Sequence, residues 1–348
     1  LLSIPVIRER LHEVPLAQCV VTWHPDGMGL LFSVDHSVAD GVGVDILLRQ
    51  WAGLARSGGL VLPVDFDHAE MYAELDGVAP QEDHWFVRHV DGVELPRAAE
   101  TEAEAEAAEG SKECSAILDS DPRTPRQVEQ AMRRNVHCFT MTPAQLQRLQ
   151  SDCDGQLPAI RLAYALFWQR YMQALGASSS SSSSSQEPTL VNIIHSTRNL
   201  INRPHYIGNA VCPVYIRLGA AELAGMSVAE VAGEIGRHMH MQTKGAWAAL
   251  LQLMQDPGRY SKFLTVFGNP EAKQMSLSNI SRLRFFDADF GFGAPRFVSV
   301  YPALIPGFAT WMPLGPDGGL RILWNISDAA FERMASDKML AEYVDVVF

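Results

Sequence analysis

A histidine and an aspartate four residues apart, His36 and Asp40, stand at the end of an apolar stretch and are followed by Gly41. A histidine side chain has a pKa near about 6.5, so its neutral form can accept a proton from a hydroxyl group near neutral pH. We predict that His36 is a general base, that Asp40 fixes the local turn, and that Gly41 is the hinge into the next helix. The H-x-x-x-D-G spacing alone is a weak signal, because a core or capping histidine also fits it.

Hydrophobic periodicity predicts the elements that position His36. Apolar residues 17–23 and 28–34 flank turn residues 24–27, a pattern typical of a β-hairpin. After Gly41, apolar residues recur at helical spacing, with Arg49, Gln50 and Arg56 on the other face. The apolar set is Val44, Leu47, Leu48, Trp51, Leu54 and Ala55. His36 is therefore expected at a strand-to-helix corner.

A second motif, Asp289-Phe290-Gly291-Phe292-Gly293, lies far downstream. In this order, the two motifs resemble those of the BAHD superfamily of coenzyme A-dependent acyltransferases, and most closely its fungal branch, which includes the trichothecene O-acetyltransferases. The resemblance covers nearly the whole chain. Phe292 stands where the family usually has tryptophan. Three further segments are similar to the family: Phe139-Thr140-Met141-Thr142-Pro143, Arg198 with Tyr206-Ile207-Gly208-Asn209, and Asp317-Gly318-Gly319-Leu320.

The resemblance implies an α/β fold of two chloramphenicol-acetyltransferase-like domains with mixed β-sheets and an active channel at their interface. It also implies that Arg198 pairs with Asp40, so that both are structural. The second motif is expected to be structural as well. Asp289 would make an ion pair there, and Gly291 and Gly293 would permit a tight backbone.

The implied reaction is direct transfer of an acyl group, expected to be acetyl, from acyl-CoA to a hydroxyl group of a small specialised metabolite. Acyl-CoA is a co-substrate, and no permanently bound cofactor or metal is expected. Ser278 and Asn279 are candidates for a polar contact with the thioester carbonyl or the acceptor; ordinary polarity at a strand end is the alternative. No acyl-enzyme is required, because no serine or cysteine stands in a recognisable nucleophile motif.

Two other functions stay open from the sequence. A peptide-synthetase condensation domain shares the fold and the H-x-x-x-D-G motif, but it normally has a second histidine just before the first, where this chain has Asp35. A non-catalytic acyltransferase fold that acts as a binding module is the other. Amine acceptors are also compatible with His36, because the same base could serve them.

Composition narrows the class of protein further. A net charge of -12 argues against a nucleic-acid partner. No run of about eighteen apolar residues is present, so the sequence does not indicate a membrane span. Five cysteines, widely spaced and without a C-x-x-C pair, suggest neither a disulfide framework nor a zinc site. We expect free thiols in a cytoplasmic, monomeric enzyme.

We predict three segments along the chain: residues 1–91 as the remaining part of an N-terminal domain, residues 92–135 as an acidic crossover linker, and residues 136–348 as a C-terminal domain. Thr142 and Gln145 predict a capping box, and a helix is expected to end at Gly176. Eight consecutive serines follow as a surface insertion. Family members usually carry a longer segment before the histidine, so we expect N-terminal truncation.

Overall fold

The computed structural model describes residues 15–59, 62–81, 84–91, 136–153, 155–176, 188–267, 273–301 and 305–347. The strands are β1 (Ala17–His24), β2 (Gly27–Val34), β3 (Val136–Met141), β4 (Pro188–Ser196), β5 (Val211–Gly219), β6 (Gln274–Asn279), β7 (Phe308–Gly315), β8 (Gly318–Asn325) and β9 (Asp345–Val347). The helices are α1 (Gly41–Ser57), α2 (His68–Ala73), α3 (Trp85–Asp91), α4 (Pro143–Cys153), α5 (Ala159–Ala174), α6 (Ala220–Gly225), α7 (Val228–His240), α8 (Lys244–Gln255), α9 (Pro257–Phe267), α10 (Asp328–Ala335) and α11 (Lys338–Ala341).

The chain forms two compact units, each discontinuous in sequence. The first unit comprises Leu1–Asp76, Ser196–Val211 and Arg282–Ser299, and the remaining residues form the second. The division along the sequence at residues 91 and 135 stays a prediction, and the acidic linker and the serine run lie outside the described residues.

The β-hairpin of the first unit agrees with the prediction from the sequence. Strands β1 and β2 pair antiparallel from Ala17 opposite Val34 to His24 opposite Gly27. Pro25 and Asp26 form the turn between them. Strand β2 ends two residues before His36, which delivers the histidine to the corner between β2 and α1.

Helix α1 follows the corner, as predicted, but its buried face differs from the predicted one. Trp51 and Leu54 of the apolar stripe are exposed, whereas Asp45 and Gln50 are buried. Gly43 explains the close packing at the start of the helix, because a Cβ atom there would clash with the carbonyl oxygen of Ile207. The remaining buried positions of the helix are Ile46, Ala52 and Gly53. A stripe of apolar residues therefore did not identify which side of this helix is covered.

The second unit is built on a seven-stranded mixed sheet in the order β5-β4-β6-β7-β8-β3-β9. Strand β6 is parallel to both β4 and β7. Strand β8 pairs antiparallel with both β7 and β3, and β3 pairs antiparallel with β9. The α/β class with a mixed sheet is therefore confirmed. Because β4 and β6 are parallel, their carboxyl ends lie at the same edge of the sheet.

Helix α5 supplies much of the core of the second unit. Eleven of its sixteen residues are buried, and Trp168 is fully enclosed. Two tryptophans of the sheet, Trp311 and Trp324, are also fully buried in the same cluster. The predicted capping box is present in α4: the Thr142 hydroxyl accepts from the Gln145 amide at 3.2 Å, and the Gln145 side chain accepts from the Thr142 amide at 2.7 Å. Among the described residues, no helix is both long and apolar enough to cross a membrane.

Candidate active site

The bend that carries His36 is held by its own neighbours. One carboxylate oxygen of Asp35 accepts the Ser37 amide at 2.8 Å and the Ser37 hydroxyl at 2.5 Å, and the Asp35 carbonyl accepts the Val38 amide at 2.9 Å. These bonds form an Asx turn. The Ser37 hydroxyl and amide keep the pKa of the Asp35 carboxyl below its usual value, so this carboxylate stays ionised. His36 itself is exposed to solvent.

Asp40 uses all of its hydrogen-bonding capacity inside the first unit. One oxygen accepts from the Gly43 amide at 3.0 Å and from Arg198 at 2.8 Å. The other oxygen accepts from Arg198 at 2.8 Å and from the Ala210 amide at 2.9 Å. A carboxylate has about four acceptor sites, and here each of them is occupied. Asp40 is thus suited to fix the start of α1 and the bend before it, and not to exchange protons with a substrate.

Arg198 is the matching donor. Besides its two bonds to Asp40, it donates to the carbonyls of Tyr206 and Gly208, each at 2.8 Å, and to the Ser196 hydroxyl at 3.3 Å. A guanidinium group has five N–H donors, and all five have an acceptor. Arg198 and Asp40 are both 3% exposed, so neither charge is left unpaired in the interior. The Arg198–Asp40 pair implied by the resemblance is present.

The segment after Arg198 also holds the backbone of the histidine. The side-chain amide of Asn209 donates to the carbonyl oxygen of His36 at 2.7 Å. In the same segment, Arg203 forms ion pairs with Asp65 and Glu70. The Ile207 amide donates to the Asp65 carbonyl at 2.9 Å. These bonds fix the loop that contacts the bend.

The second motif forms a tight loop organised by its aspartate. One oxygen of Asp289 accepts from the amides of Gly291 and Gly293 at 2.8 and 2.9 Å. Both glycines have left-handed backbone angles, with φ of 100° and 97°, which a side chain would disfavour. The bond from the Gly291 amide is the main reason that the pKa of Asp289 lies below its usual value. The predicted ion pair exists, with Arg56 at 3.4 Å.

Aromatic contacts attach this loop to α1. The ring of Phe290 meets Trp51 edge to face at a centroid distance of 5.0 Å, and Trp51 also contacts Phe32 at 5.7 Å. Phe292, by contrast, is 81% exposed. Within the first unit, the motif therefore acts through Phe290 and Asp289, whereas the ring at its fourth position faces solvent.

Ser278 and Asn279 lie at the carboxyl end of β6 in the second unit. Ser278 is half-buried and stands in register with Ile194 and Thr310. The Asn279 amide group donates to the Tyr164 hydroxyl, and its oxygen accepts from the Ser281 amide at 2.8 Å. Asn279 is held rigidly by these bonds. The roles of Ser278 and Asn279 toward a substrate stay predictions.

Among the described residues, no cluster of three or more histidine, cysteine, aspartate or glutamate side chains could hold a metal ion. The four cysteines that the structure describes are free thiols. Burial raises the pKa of the Cys212 thiol to about 12, so this cysteine is not a nucleophile at neutral pH.

Comparison with known proteins decides the family. The model of the Transferase family matches residues 1–323, which is most of the chain. The chain belongs to this family, the BAHD acyltransferases. A search of curated proteins gave no match.

The BAHD fold is also found in solved structures of low sequence identity. F. sporotrichioides TRI101, in complex with coenzyme A and T-2, is 18% identical with a TM-score of 0.64, over 95% of this chain and 71% of that one. F. graminearum TRI101 with coenzyme A and deoxynivalenol is 17% identical with a TM-score of 0.64, over 96% and 71%. Vinorine synthase is 16% identical with a TM-score of 0.62, over 95% and 66%. As a member of this family, the protein is an acyltransferase.

Two parts of the site were not identified from the residues themselves. The Asx turn of Asp35 could have been found, because an aspartate two residues before a serine is a local turn signal. Asn209 gives no such signal. Its partner is a carbonyl group 173 residues away in sequence, so only the folded structure reveals the bond.

Proposed function

We propose that this acyltransferase moves an acyl group, acetyl in the first instance, from coenzyme A to a hydroxyl group of a specialised metabolite, with His36 as the general base. The observation that carries the proposal is the contrast between His36 and Asp40. The bend leaves the imidazole exposed, while every acceptor site of Asp40 is bonded. His36 is therefore the group of this motif that is free to take up a proton.

The reaction we propose needs no covalent enzyme intermediate. The neutral imidazole accepts the proton of the acceptor hydroxyl while the hydroxyl oxygen attacks the thioester carbonyl carbon. A C–O bond forms, and the tetrahedral oxyanion then collapses with loss of the C–S bond. The imidazolium returns the proton to the departing thiolate, which gives free coenzyme A, the ester and neutral His36.

We further propose that Ser278 and Asn279 donate hydrogen bonds to the oxyanion or the acceptor. The rigid attachment of Asn279 to Tyr164 and Ser281 supports this role, since a donor that needs no reorganisation stabilises a transition state best. Loss of one such donor costs about a hundred- to a thousandfold in rate. Ser278→Ala should show a loss of this kind in kcat, whereas Ser281→Ala, three residues away, should not.

The choice of substrates rests on likeness to other members of the fold. Coenzyme A is bound in the two TRI101 structures, with T-2 in one and deoxynivalenol in the other. This supports acyl-CoA as the donor and a small hydroxylated compound as the acceptor. The free thiols of the described cysteines support a reducing cytoplasm as the place of action. A monomer without a permanently bound cofactor remains our expectation.

The test is a thiol-release assay with acetyl-CoA and a panel of hydroxylated terpenoid and polyketide acceptors. We expect thiol release that depends on an acceptor and that falls by about a hundred- to ten-thousandfold in His36→Ala, without a change in the urea midpoint. His24→Ala, at the end of β1, is the matched control and should keep full activity. Near-normal turnover of His36→Ala would overturn the proposed role of His36 as the general base. Binding of acetyl-CoA without transfer to any acceptor would instead indicate a binding module.

A further inference from the structure

We infer that Asn209 is a positioning residue of the acyl-transfer reaction, which acts by holding the backbone of His36; this inference rests on the proposed role of His36 as base. The side-chain amide of Asn209 donates to the His36 carbonyl at 2.7 Å. Among the described residues, no other side chain from a distant segment bonds to His36. The peptide group that follows the histidine is therefore held at its carbonyl by Asn209 from a distant segment and at its amide, that of Ser37, by the neighbouring Asp35.

The neighbours of Asn209 make it a fixed anchor. The carbonyl of Gly208 accepts from Arg198 at 2.8 Å, and the amide of Ala210 donates to Asp40 at 2.9 Å. Three consecutive residues thus contact the bend or its buried ion pair. Because the backbone is held on both sides, Asn209 cannot shift without breaking the Asp40–Arg198 arrangement.

The need for such an anchor follows from the exposure of His36. Its ring is exposed, and within the described part of the chain no hydrogen bond to the ring itself is found. The position of the imidazole is therefore set by the backbone at residue 36 and by two side-chain torsions. A shift of about 1 Å in a reacting group can cost about a hundredfold in rate. Bonds that fix the peptide group of His36 therefore also fix the position of its imidazole.

Asn209 differs from Asp40 and Arg198 in what its loss should do. The buried charges hold the fold, so their removal affects folding and activity together. Asn209 is half-buried and neutral, and its bond joins one side chain to one carbonyl. Its removal should leave the fold intact and affect the placement of the base.

The first experiment compares Asn209→Ala with Asn199→Ala, an exposed asparagine of the same segment. We expect kcat to fall by about ten- to a hundredfold in Asn209→Ala, with KM for acetyl-CoA changed less than about twofold. Asn199→Ala should match the wild type. A change confined to KM, or an equal effect of both replacements, would overturn the inference.

Asn209→Asp supplies a second readout that a merely structural role would not move. The ionised aspartate has no donor, but its protonated form can donate an O–H to the His36 carbonyl. The ratio of its kcat to the wild-type kcat should therefore rise as the pH is lowered from about 6 to about 4, across the ordinary pKa of an aspartate. The same ratio for Asn209→Ala should stay flat. Parallel profiles for the two variants would contradict the role of the hydrogen bond.

Two further measurements separate failure of this inference from failure of the proposed function. In the background of His36→Ala, Asn209→Ala should cost less than about twofold, since there is no base left to position. An undiminished loss would show that Asn209 acts apart from His36. Hydrogen exchange at the Ser37 and Val38 amides needs no activity, and it should accelerate about five- to tenfold in Asn209→Ala. Unchanged exchange would overturn the inference even if no acceptor is found.

Discussion

Arg198 and Asp40, 158 positions apart in sequence, are joined by two hydrogen bonds of 2.8 Å. The other hydrogen bonds of each side chain go either to residues close to it in sequence or to the segment that contains its partner. Because both side chains are almost fully buried, each is the only counter-charge that the structure gives the other among the described residues. Removal of either side chain should therefore leave the other charge buried without its partner.

Asp40→Ala or Arg198→Ala should lower the free energy of unfolding by about 3–5 kcal/mol, since each leaves a buried charge without its partner. Urea unfolding measures the change. The double replacement should cost less than the sum of the single ones. Arg56→Ala, which removes the exposed pair with Asp289, is the control and should change the urea midpoint far less. Equal losses for Arg56 and Arg198 would contradict this view.

The edge-to-face contact of Trp51 and Phe290 should couple the second motif to α1. A double-mutant cycle with alanine at both positions is expected to give an interaction of about 0.5–1.5 kcal/mol. Phe292→Ala serves as the control in the same motif. Because Phe292 is 81% exposed, its replacement should change stability by about 0.5 kcal/mol at most. A larger effect at Phe292 than at Phe290 would show that the motif is held by other contacts.

Two helical glycines should respond to alanine with opposite signs. At Gly43, a Cβ atom would meet the Ile207 carbonyl, so Gly43→Ala should destabilise the protein by about 1–3 kcal/mol. Gly233 lies at an exposed position in the middle of α7, and no atom lies within 4 Å of the carbon that alanine would add there. Gly233→Ala should therefore stabilise the protein by about 0.5–1 kcal/mol. Thermal or urea unfolding reports both signs, and stabilisation by Gly43→Ala would refute the close contact.

His195 should make the protein sensitive to mild acid. Burial lowers the pKa of its imidazole in the folded state, so the unfolded chain takes up the proton more readily. Its contribution to stability is therefore retained above about pH 6.5 and is lost as the pH falls below that value. Between about pH 7.5 and about pH 5.5, the urea midpoint of the wild type should fall more than that of His195→Gln. Identical declines would assign the acid sensitivity to other groups.

Local signals in the sequence predicted local structure well. The turn residues between β1 and β2, the capping box of Thr142 and the end of the helix before Gly176 all depend on neighbours a few positions apart, and all are present. The pairing of Arg198 with Asp40 was expected only from the resemblance to a family. Nothing in the composition or spacing of the residues could have supplied it.

The buried face of α1 shows where pattern analysis fails. Gln50 lies on the predicted polar face, yet it is buried, because its side-chain amide pairs with the peptide group of Leu62. A polar residue satisfied in this way can occupy an interior position at little cost. The bond from Asn209 to His36 was missed for a related reason, since both interactions join a side chain to a backbone group elsewhere.

The long separation between Asp40 and Arg198 also bears on how the protein is made. At about 5–20 residues per second, a ribosome synthesises Arg198 roughly 8 to 30 s after Asp40. During that interval, the carboxylate at the bend lacks the guanidinium with which it pairs in the folded structure. The corner that carries His36 can therefore be completed only after Arg198 has been synthesised.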